Sequence, residues 1–419
     1  MDSTLKSYFQ RAIRKGSLEV VDTNGALHTF GDGRPEPARV RFTSPAAERH
    51  VVIDPDLQLG QEYAKGGFVI ERGSLYDFLL TVWRNSLNVI PPWQTLALYG
   101  WRYVTRHVRA INTMGRARSN IHAHYDLDGR LYKFFLDADM QYSCAYFEDR
   151  VSSLDEAQLA KKRHIAAKLA LRPGMRVLDI GSGWGGLGLY LAEHCGAEVT
   201  GVTLSEEQFA ASNRHAEERG LEKKVRFLLQ DYRKVKGPFD RIVSVGMFEH
   251  VGAKHFRSFF KACRNLLTPD GVMLLHSIGR SGGPGMTSAW IQKYIFPGGY
   301  LPALSEVVPA IEKSQLRVTD VEILRLHYAK TLRLWRERFM AHREEVAALY
   351  DERFCRIWEF YLAASEVAFV VGALNNFQVQ LTRQHATSPI TRGYMRDTEE
   401  KLRAADGRAE RPPLKLAGE

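Results

Sequence analysis

A glycine-dense turn is the first feature of this chain whose residue types and spacing could bind a ligand. Gly181, Gly183 and Gly185 follow an apolar run at 177–180, and a helical stretch begins at about Leu187. Glycine lets the backbone bend sharply and come close to a ligand, because no Cβ intervenes. The start of the helix adds free N–H groups and the positive end of a dipole. The turn therefore predicts a ligand site, although dinucleotide-binding folds have a similar loop.

The ends of the next two strands favour S-adenosylmethionine over a nicotinamide nucleotide. A dehydrogenase usually ends its second strand with an acidic residue that holds the ribose hydroxyls, whereas this chain has Thr203, Leu204 and Ser205 there. Asp231 and Tyr232 follow the third strand and could hold an adenine, one at its exocyclic amine and the other at its ring face. We therefore predict an S-adenosylmethionine site.

Three more residues are candidates for the site. Glu249 and His276 follow or end later strands, where ligands of parallel sheets bind. Each also has an ordinary explanation, since Glu249 with His250 could begin a helix and His276 could be a hydrogen-bonded core histidine. Cys144 could be a nucleophile, but buried cysteine is usually inert. The residues alone leave these alternatives open.

The composition indicates a globular, two-domain protein with an anionic partner. The chain has 419 residues and lacks an apolar run of the roughly 18 residues that cross a bilayer. Its first residues lack the pattern of a signal peptide, and its four cysteines show no CxxC spacing, so we expect reduced thiols in the cytoplasm. The net charge of +10 suits nucleic acid or an acidic lipid surface, or is a solvated basic surface. His122 and His124 lack a third ligand at suitable spacing, so no metal site is expected.

The elements that position these residues divide the chain into two domains. Residues 1–102 predict a small α/β domain, with strands at 40–43, 50–54 and 68–71 and a helix from about Leu75. We expect this domain to contact lipid or to form a dimer, with a plain accessory domain as the alternative. The arginine-rich stretch 103–120 is interpreted as a basic linker, whose charges could rest against phosphate head groups or face solvent.

Residues 121–393 alternate strands and helices at the spacing of a parallel sheet with right-handed crossovers. Ligands of such sheets bind beyond the carboxyl ends of the strands, where the candidate residues lie. The glycine- and proline-rich insertion 281–300 carries aromatic residues that favour a lid. The strands are expected at 177–180, 199–204, 225–229, 239–245, 271–276 and 377–381, a long helix at 332–361, and a frayed polar tail at 394–419.

Several motifs together resemble the cyclopropane-fatty-acid synthase family. The resemblance runs from about residue 123 to about residue 383, and the first hundred residues also resemble that family's N-terminal domain. A tryptophan in the glycine loop combined with Phe-Glu-His-Val-Gly is far more specific than any glycine motif alone. The motifs are Tyr142-Ser143-Cys144-Ala145-Tyr146-Phe147, Gly181-Ser182-Gly183-Trp184-Gly185-Gly186, Gly201-Val202-Thr203-Leu204-Ser205-Glu206-Glu207-Gln208, Asp231-Tyr232-Arg233, Ser244-Val245-Gly246-Met247-Phe248-Glu249-His250-Val251-Gly252 and His276-Ser277-Ile278.

The resemblance implies an α/β fold of the class I S-adenosylmethionine-dependent methyltransferase type, Rossmann-like with a mostly parallel seven-stranded sheet, and a smaller N-terminal α/β domain. It implies transfer of a methylene group from S-adenosylmethionine to the cis double bond of unsaturated fatty-acyl chains in membrane phospholipids. The alkene attacks the sulfonium methyl, a carbocation forms, and a proton leaves the new methyl carbon as a cyclopropane ring closes. The family is understood to use bound bicarbonate as the general base.

The resemblance also implies the roles of individual residues. Backbone N–H groups of Cys144 and Ile278 would hold bicarbonate, together with the side chains of Glu249, His276 and Tyr328. The cofactor residues implied are Tyr125, Tyr142, Ser143, Asp179, Gly181, Gly183, Gly185, Thr203, Leu204, Ser205, Gln208, Asp231 and Tyr232.

Other functions stay open as alternatives. The nearest is a related fatty-acyl C-methyltransferase that leaves a methyl branch or a methylene group; a methyltransferase of soluble small molecules and a lipid-binding protein with a decayed site are more distant. A nucleic-acid methylase is disfavoured because the chain lacks the Asn-Pro-Pro-aromatic tetrapeptide that reads a flipped base. We therefore expect no nucleic acid partner, a homodimer, and peripheral association with the inner face of the membrane.

Overall fold

The computed structural model describes residues 1–33, 38–86, 93–109, 129–149 and 153–406, which belong to two compact units. The first unit comprises the described residues of 1–109, with 286–297 and 332–374. The second comprises the other described residues, and it contains the glycine turn and the candidate catalytic residues up to Tyr328. Two segments of the predicted range 121–393 therefore belong with the first unit.

The helices and strands are numbered in chain order. The strands are β1 (Ser17–Val21), β2 (Leu27–Gly31), β3 (Ala38–Phe42), β4 (Phe68–Arg72), β5 (Arg176–Ile180), β6 (Glu198–Thr203), β7 (Val225–Leu229), β8 (Phe239–Val245), β9 (Leu267–Arg280), β10 (Arg317–Ile323) and β11 (Leu374–Thr382). The helices are α1 (Ser3–Ala12), α2 (Pro45–Ile53), α3 (Pro55–Lys65), α4 (Leu75–Ser86), α5 (Trp93–Arg109), α6 (Gly129–Lys133), α7 (Leu154–Lys168), α8 (Gly186–Cys195), α9 (Glu206–Glu218), α10 (Phe256–Leu266), α11 (Ala289–Tyr294), α12 (Leu304–Glu312), α13 (His327–Ala341), α14 (Arg343–Leu349), α15 (Glu352–Val370) and α16 (Gly393–Asp406).

The first unit contains a four-stranded sheet in the order β2-β1-β3-β4. β1 is antiparallel to β2 and parallel to β3, and β3 is antiparallel to β4. Helices α3 and α4 pack against α15. The strands predicted at 40–43 and 68–71 and the helix predicted from Leu75 are confirmed.

The strand predicted at 50–54 is wrong, because these residues belong to helix α2 and its C-terminal cap. The Ser44 hydroxyl accepts a hydrogen bond from the N–H of Ala47, and Pro45 occupies the first turn. Together they form a helix start that outweighs the β-branched residues which follow. The helix then buries Val51 and Val52.

The second unit contains a seven-stranded sheet in the order β10-β11-β9-β8-β5-β6-β7, which confirms the predicted mostly parallel sheet. β9, β8, β5, β6 and β7 pair in parallel, and β10 is antiparallel to β11. Neighbouring residues of a strand face opposite sides of a sheet. Leu178 and Val177 accordingly belong to separate hydrophobic clusters, the first with α10 and α12 and the second with α7 and α8. The sheet is therefore covered on both faces, and its strand ends are left for a site.

Two further predictions are corrected by the helices, and a third stays a prediction. The insertion 281–300, predicted as a lid, contains α11, whose Trp290 is buried with its ring 4.7 Å from that of Phe360. The long helix predicted at 332–361 is divided among α13, α14 and α15. The polar tail predicted from residue 394 begins with α16, which packs on α7 through the ion pair of Arg163 with Asp406. Of the predicted linker 103–120, residues 103–109 end α5 and the others lie outside the described residues.

Candidate active site

The glycine turn joins β5 to α8 and forms one wall of a cavity in the second unit. Gly181 has a φ of +83°, and a Cβ there would lie 2.8 Å from the Cβ of Met247. Both the backbone conformation and this close approach require glycine. Gly183 has a φ of +55° and faces open space. The turn therefore leaves room for a ligand beside its backbone.

The cavity collects most of the predicted cofactor residues. The carboxyl ends of β5, β6, β7 and β8 lie at one edge of the sheet, and the chain order reverses at β5, which has β6 on one side and β8 on the other. Open parallel sheets bind their ligands at such a switch point. The predicted residues that line the cavity are Tyr142, Ser143, Asp179, Gly181, Gly183, Thr203, Leu204, Gln208, Asp231 and Tyr232.

Three predicted cofactor residues are not among those that line the cavity. Tyr125 lies outside the described residues. At Gly185 a Cβ would come 2.8 Å from the ring of Phe227, so this glycine allows close packing behind the turn. Ser205 is the buried cap of α9, where its hydroxyl accepts a hydrogen bond from the N–H of Gln208. Both residues shape the cavity walls from behind.

The residues after β6 and β7 offer fixed polar groups to the cavity. Thr203 Oγ1 donates to Gln208 Oε1 at 2.9 Å, which orients the Gln208 amide. Burial opposes ionisation of Asp231, but hydrogen bonds from Arg233 keep its pKa below the ordinary value. Asp231 is therefore an ionised acceptor, as a contact with an adenine amino group requires.

Lys161 is a fully buried cation of the cavity wall that sequence reasoning missed. Its Nζ donates to Ser143 Oγ at 2.7 Å and to Gln141 Oε1 at 2.8 Å. Burial lowers the pKa of Lys161 to about 8. Its charge opposes the rise that burial causes in the pKa of Asp179, and it adds to the lowering that burial causes in the pKa of His276. Lys161 thus connects the cavity electrostatically to the predicted catalytic residues.

Asp179 presents a buried carboxyl to the cavity. Its Oδ2 has no hydrogen-bond partner among the described residues. Burial raises the pKa of Asp179 to about 7, and the charge of Lys161 opposes the rise only in part. A carboxyl in this state gains most from a cationic ligand, which would restore its charge and satisfy its free oxygen.

Replacing Asp179 by asparagine should change how stability depends on pH. The folded protein retains the Asp179 proton at pH values where the unfolded chain loses it, so wild-type stability falls as the pH rises from about 4 to about 7. Asparagine does not titrate, so the free energy of unfolding of Asp179→Asn relative to wild type should rise by about 3 kcal/mol between pH 5 and pH 8. Urea unfolding without cofactor measures this slope, and Asp270→Asn at an exposed position is the control. Parallel curves for Asp179→Asn and wild type would contradict the prediction.

Glu249, Ile278 and His276 come together beside the cavity. Glu249 lies in a short 3₁₀ turn after β8, between Met247 and His250, which both line the cavity. The N–H of Ile278 donates to Glu249 Oε1 at 2.7 Å, and His276 precedes Ile278 by two residues on β9. The N–H that the resemblance assigns to bicarbonate therefore binds Glu249.

The polar atoms of this group are buried and only partly satisfied. Burial raises the pKa of Glu249 to about 7, although hydrogen bonds, first that of Ile278, oppose the rise. Burial lowers the pKa of His276 far below its ordinary value, and the charge of Lys161 lowers it further. Glu249 Oε2 and His276 Nε2 have no hydrogen-bond partner within the described part of the chain. Near neutral pH the group thus contains a carboxyl close to its pKa and a neutral imidazole.

Cys144 and Tyr328 belong to a group around the first turn of α13. Burial raises the pKa of the Cys144 thiol well above its ordinary value, so the thiol stays protonated and is a poor nucleophile. The N–H of the next residue, Ala145, donates to Thr331 Oγ1 at 3.1 Å. Tyr328 is buried and precedes Thr331 by one turn. The structure therefore links Cys144 to the helix that carries Tyr328.

The segment before Cys144 also approaches the end of β8. A Cβ on Gly246 would lie 4.0 Å from the Cβ of Ser143, and the Gly246 N–H donates to the carbonyl of His276 at 2.9 Å. Gly246 therefore separates the segment that carries Cys144 from the strand that carries His276.

Aromatic rings form another part of the cavity wall. Tyr142 and Trp184 line it, and the ring of Tyr132 meets both edge-on, with ring centroids at 5.3 Å and 6.1 Å. Aromatic faces attract cations and offer them no nucleophile. The wall is therefore suited to a ligand that carries positive charge.

Two kinds of feature are absent from the part of the chain that the structure describes. None of its helices is long and apolar enough to cross a membrane. Nor does it contain a group of three or more His, Cys, Asp or Glu residues that could hold a metal ion. His122 and His124 lie outside these residues.

Comparisons with known proteins agree on one family. Residues 112–379 match the family model described as mycolic acid cyclopropane synthetase. The cyclopropane-fatty-acyl-phospholipid synthase of Escherichia coli (strain K12) is 40% identical over 352 residues, 83% of this chain and 88% of that protein. Tuberculostearic acid methyltransferase UfaA1 of Mycobacterium tuberculosis is 39% identical over 322 residues, 73% of this chain and 74% of that protein. The solved structure of mycolic acid cyclopropane synthase CmaA1 complexed with SAH and CTAB is 36% identical with a TM-score of 0.60, and the match covers 63% of this chain and 97% of that one.

Proposed function

The chain belongs to the mycolic acid cyclopropane synthetase family, and we propose that it transfers a methylene group from S-adenosylmethionine to the cis double bond of unsaturated fatty-acyl chains in phospholipids, forming a cyclopropane ring. It is an S-adenosylmethionine-dependent methyltransferase with the class I fold. The substrate, the ring as product and the identity of the base are the proposed parts.

The observation that carries the proposal is the buried Glu249 carboxyl beside the cavity, whose pKa burial raises to about 7. Ring closure requires that a proton leave the carbon that was transferred, and a carboxyl with a pKa near the working pH is suited to take that proton on from a bound base. The N–H of Ile278 fixes one carboxyl oxygen and leaves the other free. Glu249 is thus held in one orientation toward the reaction.

The cavity residues would bind S-adenosylmethionine and exclude water from it. Bound S-adenosylmethionine would supply the methyl group as an electrophile. Asp179 would face a positively charged part of it, and Asp231 and Tyr232 would hold the adenine. An alkene is a poor nucleophile, so it must be aligned in a dry site. Tyr142 and Trp184 would stabilise the positive charge that develops on the acyl chain.

Bicarbonate is the base that we propose between Glu249 and His276. When bound, it would supply the group that accepts the proton of the transferred carbon. The site suits a small anion with a hydroxyl, because Glu249 Oε2 and His276 Nε2 are buried polar atoms without a partner among the described residues. The N–H of Ile278 already donates to Glu249, so Ile278 would act on the anion through Glu249. The contacts of Cys144 and Tyr328 with this anion stay predictions.

The second candidate function is methylation of the acyl chain without ring closure. The observation that favours it is the 39% identity to a tuberculostearic acid methyltransferase. Both reactions begin with attack of the alkene on the methyl group. They differ in the carbon that then loses a proton: the new methyl carbon closes a ring, whereas a neighbouring carbon leaves an alkene.

Mass spectrometry of acyl chains tests the proposed function directly. The purified protein is incubated with S-adenosylmethionine and vesicles of cis-monounsaturated phospholipid. We expect a gain of one CH₂, loss of the double bond and a ring-specific fragment. The same gain with a surviving alkene would support the methylating alternative, and no gain would contradict both functions.

Helix α5 is the surface that we propose for peripheral binding to the membrane. Leu96, Trp101 and Val104 are 46%, 63% and 73% exposed and fall within an arc of about 140° on a helix of 3.6 residues per turn. On the opposite side, both Arg102 Nη atoms bind the Asp54 carboxylate, at 2.9 Å and 2.7 Å. Tryptophan prefers the boundary between lipid and water. A homodimer and a location at the inner face of the membrane are further proposals.

Replacing both Trp101 and Val104 by serine should weaken binding to vesicles of anionic phospholipid by about 10-fold or more, because two apolar side chains lose their burial in lipid. Co-sedimentation with the vesicles measures the affinity, and unaltered thermal unfolding shows that the fold is retained. Leu326→Ser is the control, because Leu326 is an apolar residue that is likewise exposed, at 59%, but lies in the second unit. Equal losses in both variants would contradict a role specific to α5.

A further inference from the structure

Gln378 is a fully buried amide that touches the candidate catalytic histidine. It lies on β11, the strand beside β9, and its Nε2 is 3.0 Å from Nδ1 of His276. Gln380, on the same face two residues further on, instead donates to the carbonyl of Lys168 and to the Tyr394 hydroxyl. Of these two amides, Gln378 is therefore the one placed to act on His276.

The contact decides where the single hydrogen of a neutral imidazole resides. A primary amide nitrogen can only donate, so Nδ1 of His276 accepts and carries no hydrogen. The hydrogen then lies on Nε2, and Nε2 has no partner within the described residues. A buried N–H without a partner is unfavourable unless an acceptor comes to it.

We propose that Gln378 is a positioning residue that holds His276 in the Nε2–H tautomer, so that His276 donates a hydrogen bond to an anion in the site. The inference rests on the proposed function, since it makes His276 an electrostatic clamp for the anion instead of the base itself. Glu249 offers the neighbouring free oxygen, Oε2. The base is then the anion, as proposed above for bicarbonate.

The opposite orientation of the amide makes a different prediction. If the Gln378 oxygen accepted a hydrogen from Nδ1, then Nε2 would be a bare acceptor and His276 could itself take the proton. In the structure Nε2 of Gln378 faces His276, which is the first orientation, and its Oε1 is buried without a hydrogen-bond partner among the described residues. The tautomer of His276 distinguishes the two orientations.

Nitrogen-15 NMR of protein with labelled histidine measures the tautomer, with His276→Gln to assign the signals. In wild type we expect Nδ1 without a hydrogen and Nε2 with one. Gln378→Glu should place a hydrogen on Nδ1, because a carboxylate accepts there. Gln378→Met should give a mixture of tautomers and lower kcat by about 10-fold, with the KM for S-adenosylmethionine unchanged.

Gln380→Met is the matched control, since it removes a buried amide from the same face of β11 without touching His276. It should leave the His276 signals as in wild type. An Nδ1–H tautomer in wild type, or unaltered signals in both Gln378 variants, would overturn the proposal. These NMR outcomes do not depend on the reaction product. A wild-type enzyme that forms no ring would contradict the proposed function, but the tautomer of His276 would still be measured.

Discussion

Replacing Glu249 by glutamine should lower turnover by about 10³-fold or more and change the affinity for S-adenosylmethionine by less than about twofold. Burial brings the pKa of Glu249 to about 7, so its carboxyl can release and accept a proton near neutral pH. A glutamine amide can still accept the N–H of Ile278 and fill the same space, but it cannot exchange a proton. The change therefore removes chemistry and preserves shape.

Calorimetric titration with S-adenosylmethionine and mass spectrometry of the acyl product measure the two quantities for Glu249→Gln. Glu312→Gln makes the same change at an exposed position of α12 and should alter neither. If cofactor affinity fell as far as turnover, Glu249 would belong to the cofactor site. If turnover stayed near the wild-type rate, the proton would be handled by another residue.

The sequence allowed the cavity to be predicted because parallel strands bring their carboxyl ends to one edge. Asp179, Thr203 and Asp231 are far apart in the chain, yet each stands at the end of a short apolar run. Once the runs are recognised as neighbouring parallel strands, their ends must meet. The same logic placed Glu249 after β8 and His276 on β9.

Two predictions of secondary structure failed because other interactions outweighed the local sequence pattern. Residues 50–54 contain the β-branched run that is typical of a strand, but Ser44 and Pro45 start a helix upstream and the run becomes its buried face. The tail from residue 394 is polar by composition, and it folds because Glu399 and Asp406 find buried cations on α7. Such partners lie more than 200 residues away in the chain, so no local pattern shows them.

Helix α7 explains why Lys161 was missed. A run of charged residues on a helix is usually a solvated face, and the sequence shows no reason to expect otherwise. In the fold α7 is packed on several sides, and its basic residues and His164 are buried, four of them paired with acids from other segments. The pairs are Lys162 with Asp139, Arg163 with Asp406, His164 with Glu399 and Glu322, and Lys168 with Glu322.

Replacing Lys161 by methionine should lower the free energy of unfolding by about 3–5 kcal/mol, because two buried acceptors each lose a charge-assisted hydrogen bond worth about 1.5–3 kcal/mol. Methionine has a similar length but cannot donate to Ser143 or Gln141, which both line the cavity. We therefore also expect the affinity for S-adenosylmethionine to fall by about 10-fold or more, since two polar groups of its site lose their orientation.

Lys162→Met separates the two effects, because the adjacent Lys162 is also buried but binds Asp139 and is not among the residues that line the cavity. It should destabilise the protein by a comparable amount, measured by urea unfolding, and leave the cofactor affinity close to that of wild type. Equal losses of affinity in both variants would mean that the site responds only to overall stability. A loss of affinity confined to Lys161→Met would show that this buried cation orders the cavity wall. That role depends on the packing of α7 against the segment from Gln141 to Ser143, so the charge pattern of the helix alone cannot reveal it.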